Sequence, residues 1–316
     1  MAAALRAGVY LPYGCKTGGC GSCKIQLVDG EVAVRDDTLA LAADEREAGL
    51  CLACVSEPRA DCIVDASDMG LTEGEFAAGD KAGQFLTKLV RSERRARDLH
   101  VLGLELVEPA QMRFFAGQFV NLELPESRDV RTYSIGSPPS QSARLDLYVK
   151  CRPNGRFSEL LRSGLALGTP LRVFGPFGQL RVRLSHRPLI MVANGSGLSP
   201  LLSMLYDLAE KGNTRPVKLF HSVRSAEDCF AHEQLDAIAH AMPALQRVAI
   251  VTDDHWPETR IQAMARIIAQ SLGSAHDHDA YLSGSTWCIE AIVPLLLQLG
   301  ARRRNIHFDV FTPAGG

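Results

Sequence analysis

No apolar run in the 316-residue sequence approaches the length of a membrane span, so no membrane-spanning helix is expected. The opening residues, Met1-Ala-Ala-Ala-Leu-Arg6, lack the basic, apolar and small-residue succession of a secretion signal. The basic stretches carry no interleaved aromatic stripe and no nucleic-acid-binding motif, which argues against nucleic acid as a partner. A disulfide framework is not expected either: of the nine cysteines, four stand at a recognisable spacing and five are scattered. Free thiols in that distribution predict a reducing compartment and a cytoplasmic protein. The full G-x-G-x-x-G fingerprint of ordinary dinucleotide-dependent dehydrogenases is also missing, because Pro200 stands where its last glycine would follow Gly195-Ser196-Gly197.

Hydrophobic residues make up 46% of the chain, and the length allows two or three domains. The net charge of −2 conceals an uneven distribution: residues 1–80 hold 6 Lys/Arg against 14 Asp/Glu, residues 81–187 hold 18 against 9, and residues 188–316 hold 10 against 13. An acidic first module and a basic middle one are suited to docking on each other or on a partner of opposite charge.

The densest chemistry lies in Cys15-Lys-Thr-Gly-Gly-Cys20-Gly-Ser-Cys23, followed at a distance by Cys54. A C-x4-C-x2-C run with one remote fourth thiolate is the ligand spacing of a plant-type [2Fe–2S] ferredoxin. Gly18, Gly19 and Gly21 let the loop turn tightly enough for backbone amides to face sulfur. A structural zinc usually uses two close Cys pairs or a Cys/His mixture; three cysteines crowded into one nine-residue, glycine-rich loop favour the 2Fe–2S reading over it. Cys51 and Cys54 lie three apart; residues 49–58 resemble the ferredoxin pattern in which the ligand follows a Leu-x pair and precedes a proline by a few residues, a register that selects Cys54 and leaves Cys51 as a packed thiol.

Residues 1–66 therefore read as a ferredoxin module, with the tail of a helix at 2–8, a strand at 24–28, a hairpin turn at Asp29-Gly30 before 31–34, and a closing strand at 63–64. Plant-type ferredoxins place a β-hairpin before the helix that leads to the cluster loop. Only 14 residues precede Cys15, so that hairpin is expected to be missing and the module to be less stable than its relatives. Residues 67–83 are small, polar and glycine-rich, as a linker is.

From 84 to 184 short alternating strands are expected at 85–90, 101–106, 118–124, 131–135, 145–149 and 170–174, which suggests an antiparallel barrel. The run Arg91-Ser-Glu-Arg-Arg-Ala-Arg97 reads as a solvated turn, or as a docking patch for the acidic module. Arg131-Thr132-Tyr133-Ser134 and Gly155-Arg156-Phe157-Ser158 resemble the flavin signatures of the ferredoxin–NADP reductase superfamily. The resemblance implies that Arg131 neutralises flavin phosphate, that Tyr133 packs on the isoalloxazine or ribityl region, and that Ser134 hydrogen-bonds flavin N5. It places Thr132, Val149 and Lys150 in the same site, and gives the Gly155–Ser158 amides and hydroxyl to the pyrophosphate at the start of a helix over 157–161.

Residues 185–316 alternate strands (189–193, 217–222, 248–252, 280–283, 306–311) with helices (201–211, 228–241, 260–271, 287–299). This predicts a doubly wound parallel sheet whose ligand lies at the strands' carboxyl ends. Gly195-Ser196-Gly197 sits at a strand-to-helix turn, and with Pro200 it is similar to the Gly-Thr-Gly-x-x-Pro turn of the same superfamily, although Asn194 stands where a glycine is common. The segment from His221 to Asp228 resembles the one in which an arginine, here Arg224, lies along the adenosine half of the dinucleotide. Tyr281-Leu-Ser283-Gly284-Ser285-Thr-Trp-Cys288 resembles a Tyr-x-Cys-Gly-Pro-x-x-Met motif beside the nicotinamide, with Ser283 for cysteine, Ser285 for proline and Cys288 for methionine. Phe308-Asp309-Val-Phe311 resembles the C-terminal acidic-x-aromatic pattern near the flavin. Ser134, Ser283, Asp309 and Phe311 are thereby the residues implied to surround the reacting rings. Asp253-Asp254 would repel a 2′-phosphate, which favours NADH over NADPH. His276-Asp-His278-Asp reads as a surface loop rather than a metal site.

Cluster, flavin and nicotinamide modules in this order resemble the reductase components of bacterial multicomponent oxygenases that hydroxylate aromatic rings. The resemblance implies a chain of electron transfer from NADH through FAD to the 2Fe–2S cluster and on to a terminal oxygenase or its intermediate ferredoxin. Three alternatives stay open at this stage: a reductase for another acceptor, such as a deoxysugar dehydratase; a redox sensor or binding module without turnover; and a structural zinc module fused to an unrelated binding domain.

Overall fold

A computed structural model describes residues 18, 21, 23–34, 40–65, 82–124, 130–153, 155–252 and 257–311. The chain divides into two compact units, Met1–Lys81 with Phe177–Gln179, and Ala82–Pro176 with Leu180–Gly316.

In the first unit, β1 (Lys24–Asp29) pairs antiparallel with both β3 (Leu50–Leu52) and β5 (Ile63–Asp65). A separate pair joins β2 (Val32–Val34) to β4 (Ser56–Pro58). The short helix α1 (Ala43–Glu47) begins where the Ala42 N–H donates to Glu45 Oε2 at 3.0 Å, and Lys24 Nζ pairs with the same carboxylate at 2.7 Å. Asp29-Gly30 is not a hairpin turn. β1 and β2 lie in different sheets, and Gly30, with φ of 93°, passes so close to Asp61 that an added Cβ would meet its carbonyl oxygen at 2.3 Å. The glycine is needed for that close backbone approach, and the strands on either side diverge. The helix expected at 2–8 and the stretch before Cys15 lie outside the described residues.

The second unit begins with a six-stranded antiparallel sheet: β6 (Gly83–Ala96), β7 (Leu99–Glu108), β8 (Phe119–Glu123), β9 (Val130–Ser134), β10 (Arg144–Lys150) and β11 (Pro170–Phe177). Its order is β10-β7-β6-β11-β8-β9, and a bridge between Ile135 and Leu147 joins the two edges, so the sheet closes into a barrel. Alternate apolar side chains such as Leu89, Leu104, Leu122, Leu147 and Val173 fill its interior. The helix α2 (Arg156–Ser163) packs Phe157 and Leu161 into the same core. The arginine run at 91–97 is not a turn: β6 continues to Ala96, and only Arg97-Asp98 reverses the chain. Cross-strand and neighbouring carboxylates make this possible, since Arg91 pairs with Asp146 at 2.8 Å and Arg95 with Glu93 at 3.0 Å on the outward face.

The remainder is a five-stranded parallel sheet of β12 (Leu189–Asn194), β13 (Val217–Val223), β14 (Leu245–Val251), β15 (Asp279–Ser285) and β16 (Ile306–Phe311), in the order β14-β13-β12-β15-β16. Between the strands run α3 (Leu198–Glu210), α4 (His232–Ala241), α5 (Pro257–Leu272) and α6 (Thr286–Gln298). Two apolar clusters, one including Met191, Leu205 and Leu219 and the other Ile190, Phe220 and Ile292, cover the sheet's two faces. β12 is buried on both, which explains its unbroken apolar sequence. Pro200 falls in the first turn of α3, where a missing N–H costs nothing. The helix expected from 228 starts at His232 instead. Ala231 adopts φ of 65°, and Phe230 turns inward against the Tyr148 and His221 rings, 5.2 and 5.5 Å away. Strand order reverses between β12 and β15, the place where open α/β sheets bind ligands.

Candidate functional site

Two turns meet at that crossover. After Asn194 a single 3₁₀ turn, Gly195–Gly197, leads into α3, and Gly284 lies near the end of the adjacent β15. A Cβ on Gly197 would stand 2.1 Å from the Ser283 carbonyl oxygen, so the phosphate-type turn can lie against β15 only with glycine there. Gly284, with φ of 149°, passes 2.8 Å from the Asn194 Cβ by the same measure. Ser285 Oγ donates to Asn194 Oδ1 at 2.9 Å. The residues that depart from the superfamily pattern at 194 and 285 are thus partners, an amide acceptor meeting a hydroxyl donor across the crossover.

Parallel pairing sets Ser283 beside Asp309 and Ser285 beside Phe311. Ser283 is fully buried, and its hydroxyl has no hydrogen-bond partner among the described residues. Such a group costs about 1–3 kcal/mol unless something satisfies it, so its place beside a glycine turn suits a polar ligand. The barrel contributes here too: the Ser134 carbonyl accepts from Ser199 Oγ of α3 at 3.2 Å, and the Ser137 carbonyl from Ser203 Oγ at 2.7 Å. These contacts seat Ser134 against the helix that follows the Gly195 turn.

Around the barrel's own site, Tyr133 is pushed well above the usual phenol range by burial, and its ring lies 5.9 Å from that of Phe157. Arg131 donates to the Val130 carbonyl at 3.0 Å, and Thr132 is exposed and donates to Asn121 Oδ1 at 2.7 Å. Ser158 Oγ accepts from the Arg152 N–H at 2.8 Å, while a Cβ on Gly155 would sit 2.9 Å from that oxygen. Gly155 therefore leaves the start of α2 open, with Arg156 exposed on its first turn. Arginines 131, 152 and 156, and amides at a helix start, fit a pyrophosphate. Val149 is buried in the barrel core, and Lys150 Nζ pairs with Asp98 Oδ1 at 2.7 Å. Arg224 is held by Asp98 at 2.5 Å and faces Asp228 at 3.5 Å.

Two residues went unassigned in the sequence. Asp98 gave no signal beyond its place in a charged turn. His221 sits in the strand next to β12, and its Nε2 lies 3.0 Å from the Gly195 carbonyl, so the ring carries its proton on Nε2 and fixes the glycine turn. Burial lowers the His221 pKa to about 4, and burial likewise lowers that of His307 to about 4. Both rings are neutral in the folded chain and take up a proton near the ordinary value of about 6.5 when it unfolds. Their contribution to stability is full above that value and is lost as pH falls toward 4. Unfolding measured between pH 7 and 4 should show falling stability over that interval, with a smaller fall in His221→Gln.

In the first unit Cys23 and Cys54 lie at one end of the β1–β3 pair. Lys24 pairs with Leu52, and the Ala53 N–H donates to the Cys23 carbonyl at 2.9 Å. Cys51 lies inside β3 opposite Ile25, 3% exposed, and burial raises its thiol pKa; Cys54 is half-buried in the turn beyond. Two thiols at one strand end suit a cluster of thiolate ligands. Cys15 and Cys20 lie outside the described residues, as do Asp253 and Asp254. His276 lies on an exposed turn, 3.0 Å from Asp277.

Family models match along the chain: a 2Fe-2S iron-sulfur cluster binding domain at residues 1–59, an oxidoreductase FAD-binding domain at 86–182 and an oxidoreductase NAD-binding domain at 191–293. The chain is 32% identical over 321 residues to the phenol 2-monooxygenase reductase component of Pseudomonas sp. (strain CF600), covering 99% of this chain and 89% of that protein. It is 30% identical over 323 residues to the aromatic O-demethylase reductase subunit of Amycolatopsis sp. (strain ATCC 39116 / 75iv2), covering 99% and 94%. Among solved structures, the Amycolatopsis reductase GcoB superposes with a TM-score of 0.77 at 28% identity, covering 99% of this chain and 94% of that one. With its three matched domains and relatives that span nearly its whole length, the chain belongs to the family of oxygenase reductase components that combine 2Fe–2S, FAD-binding and NAD-binding domains.

Proposed function

We propose that this chain takes electron pairs from NADH and passes them singly through FAD and a 2Fe–2S cluster to a terminal oxygenase or its ferredoxin in the cytoplasm. The observation that carries the reading is the pair of interlocked glycine turns at the sheet crossover, with Ser134 of the barrel bonded to the helix that follows one of them. The relatives named above are reductase components or subunits that serve a monooxygenase and a demethylase. When bound, FAD accepts a hydride and releases single electrons, and the cluster carries them onward one at a time.

The chain's own residues bind, orient and shield. Arg131 and Arg156 would balance the flavin phosphates, and the amides of Gly155–Ser158 would meet them at the start of α2. Tyr133, kept neutral by its burial, would pack beside the flavin ring. Gly195–Gly197, braced by His221, would cradle the dinucleotide pyrophosphate, and Arg224 would lie along its adenosine half. Ser134, Ser283, Asp309 and Phe311 would enclose the reacting rings, with the Ser283 hydroxyl finding its partner in the ligand. Cys15, Cys20, Cys23 and Cys54 would hold the iron. Asp253 and Asp254 favour NADH, because carboxylates repel a 2′-phosphate.

Steady-state reduction of cytochrome c by each coenzyme tests this. We expect many turnovers with NADH and a kcat/KM at least about tenfold lower with NADPH. Reduction that stops after about one equivalent would contradict a catalytic role, and a preference for NADPH would contradict the coenzyme assignment.

A further inference from the structure

The turn Arg97-Asp98 joins the barrel to the α/β sheet through one carboxylate with two cationic partners. Asp98 Oδ1 accepts from Lys150 Nζ at 2.7 Å, at the end of β10, and Asp98 Oδ2 accepts from Arg224 Nη2 at 2.5 Å, just beyond β13. Lys150 belongs to the flavin residues proposed above and Arg224 to the dinucleotide residues, so Asp98 stands between the two sites while belonging to neither. In addition, Asp228 Oδ2 lies 3.5 Å from Arg224 Nε, at ion-pair distance. Burial by itself would raise the Asp98 carboxyl, but Lys150 and Arg224 outweigh it and hold the group below its ordinary range. A second tie between the same segments is of a different kind. Arg97 reaches Ser225 Oγ at 3.3 Å and Glu227 at 3.7 Å, with the Arg97 and Glu227 side chains 55% and 82% exposed, where an ion pair contributes little.

We propose that Asp98 is a positioning residue of the dinucleotide site, holding the Arg224 guanidinium in place for the incoming coenzyme and linking that grip to Lys150 on the flavin side. The inference rests on the functional reading given above. Arginine is long and flexible, and one already hydrogen-bonded at Nη2 and ion-paired at Nε loses less freedom when a ligand arrives. The hydrogen bond to Asp98 uses one of its five N–H donors, which leaves capacity for ribose or phosphate oxygens. Asp98 acts through Arg224 and touches no ligand itself.

The test is the NADH dependence of ferricyanide reduction by the holoenzyme, a readout that takes electrons from the flavin and bypasses the iron. Asp98→Asn should raise the KM for NADH about five- to tenfold with kcat within about twofold, the signature of lost binding rather than lost chemistry. Asp98→Glu should recover most of the loss, and Arg97→Ala should leave KM unchanged. In an Arg224→Ala background, Asp98→Asn should add less than about twofold, because the two residues act as one unit. An unchanged or lowered KM in Asp98→Asn would overturn the proposal, as would an equal rise in Arg97→Ala or a full additive loss on Arg224→Ala. Absence of NADH turnover in the wild-type holoenzyme would instead overturn the functional reading, and this inference with it.

Discussion

Replacing Cys54 by serine is expected to remove the red-brown absorption of the cluster and to cut NADH-driven cytochrome c reduction by about a hundredfold, while ferricyanide reduction stays within about twofold. Cys54 lies in the turn just past β3, beside the strand end where Cys23 precedes β1, and a hydroxyl is a poor substitute for a thiolate ligand of iron. Cys51→Ser is the matched control. Its thiol is packed within β3, so the substitution should lower stability by about 1–3 kcal/mol through an added buried hydroxyl, yet leave the iron content intact. Iron lost on Cys51→Ser and retained on Cys54→Ser, measured by absorbance and metal analysis, would reverse the ligand assignment.

The second large effect is expected at Gly197. A methyl group there would lie 2.1 Å from the Ser283 oxygen and 2.9 Å from the Gly284 Cα, both backbone atoms with no rotamer to yield. The turn after β12 would have to separate from β15, at a cost of about 1–3 kcal/mol or more, and the start of α3 would move with it. Gly197→Ala should lower kcat/KM for NADH by about a hundredfold or more while FAD content stays near that of the wild type, because the residues proposed to hold the flavin phosphates belong to β9 and α2 rather than to α3. Gly195→Ala is the milder neighbour. Its Cβ would enter open space, so only the left-handed φ of 53° opposes it, at about 1–2 kcal/mol. Equal kcat/KM in Gly197→Ala and the wild type would mean that the close approach of the two turns has no role in coenzyme binding.

Features that depend on neighbours in the sequence were legible before the structure. β12 announces itself as five consecutive apolar residues followed by Asn-Gly-Ser-Gly, and the barrel strands by period-two alternation between turns. The register that chose Cys54 over Cys51 also needs only local context, and Cys51 itself is buried inside β3. What escaped depends on partners far along the chain. The arginine run at 91–97 looked like a turn because Asp146, which pairs with Arg91, lies over fifty residues away. Asp29-Gly30 carries a hairpin's dipeptide, but the approach of Asp61 gives that glycine a different task. The start of α4 moved because Phe230 found an aromatic pocket made by Tyr148 and His221. At the site, Asn194 and Ser285 read as separate departures from a pattern; only the fold shows that they bond to each other across 91 residues. Asp98 belongs to no motif and His221 opens one without a role in it; both gained meaning from their contacts alone.

The most direct test of an electron path from NADH through flavin to iron is an anaerobic visible spectrum of the purified protein, before and after NADH is added. Flavin absorption together with red-brown cluster bands, both bleaching on addition of NADH, is the predicted result. Flavin that bleaches with no cluster bands at any stage, in protein purified anaerobically with iron and sulfide supplied, would contradict it.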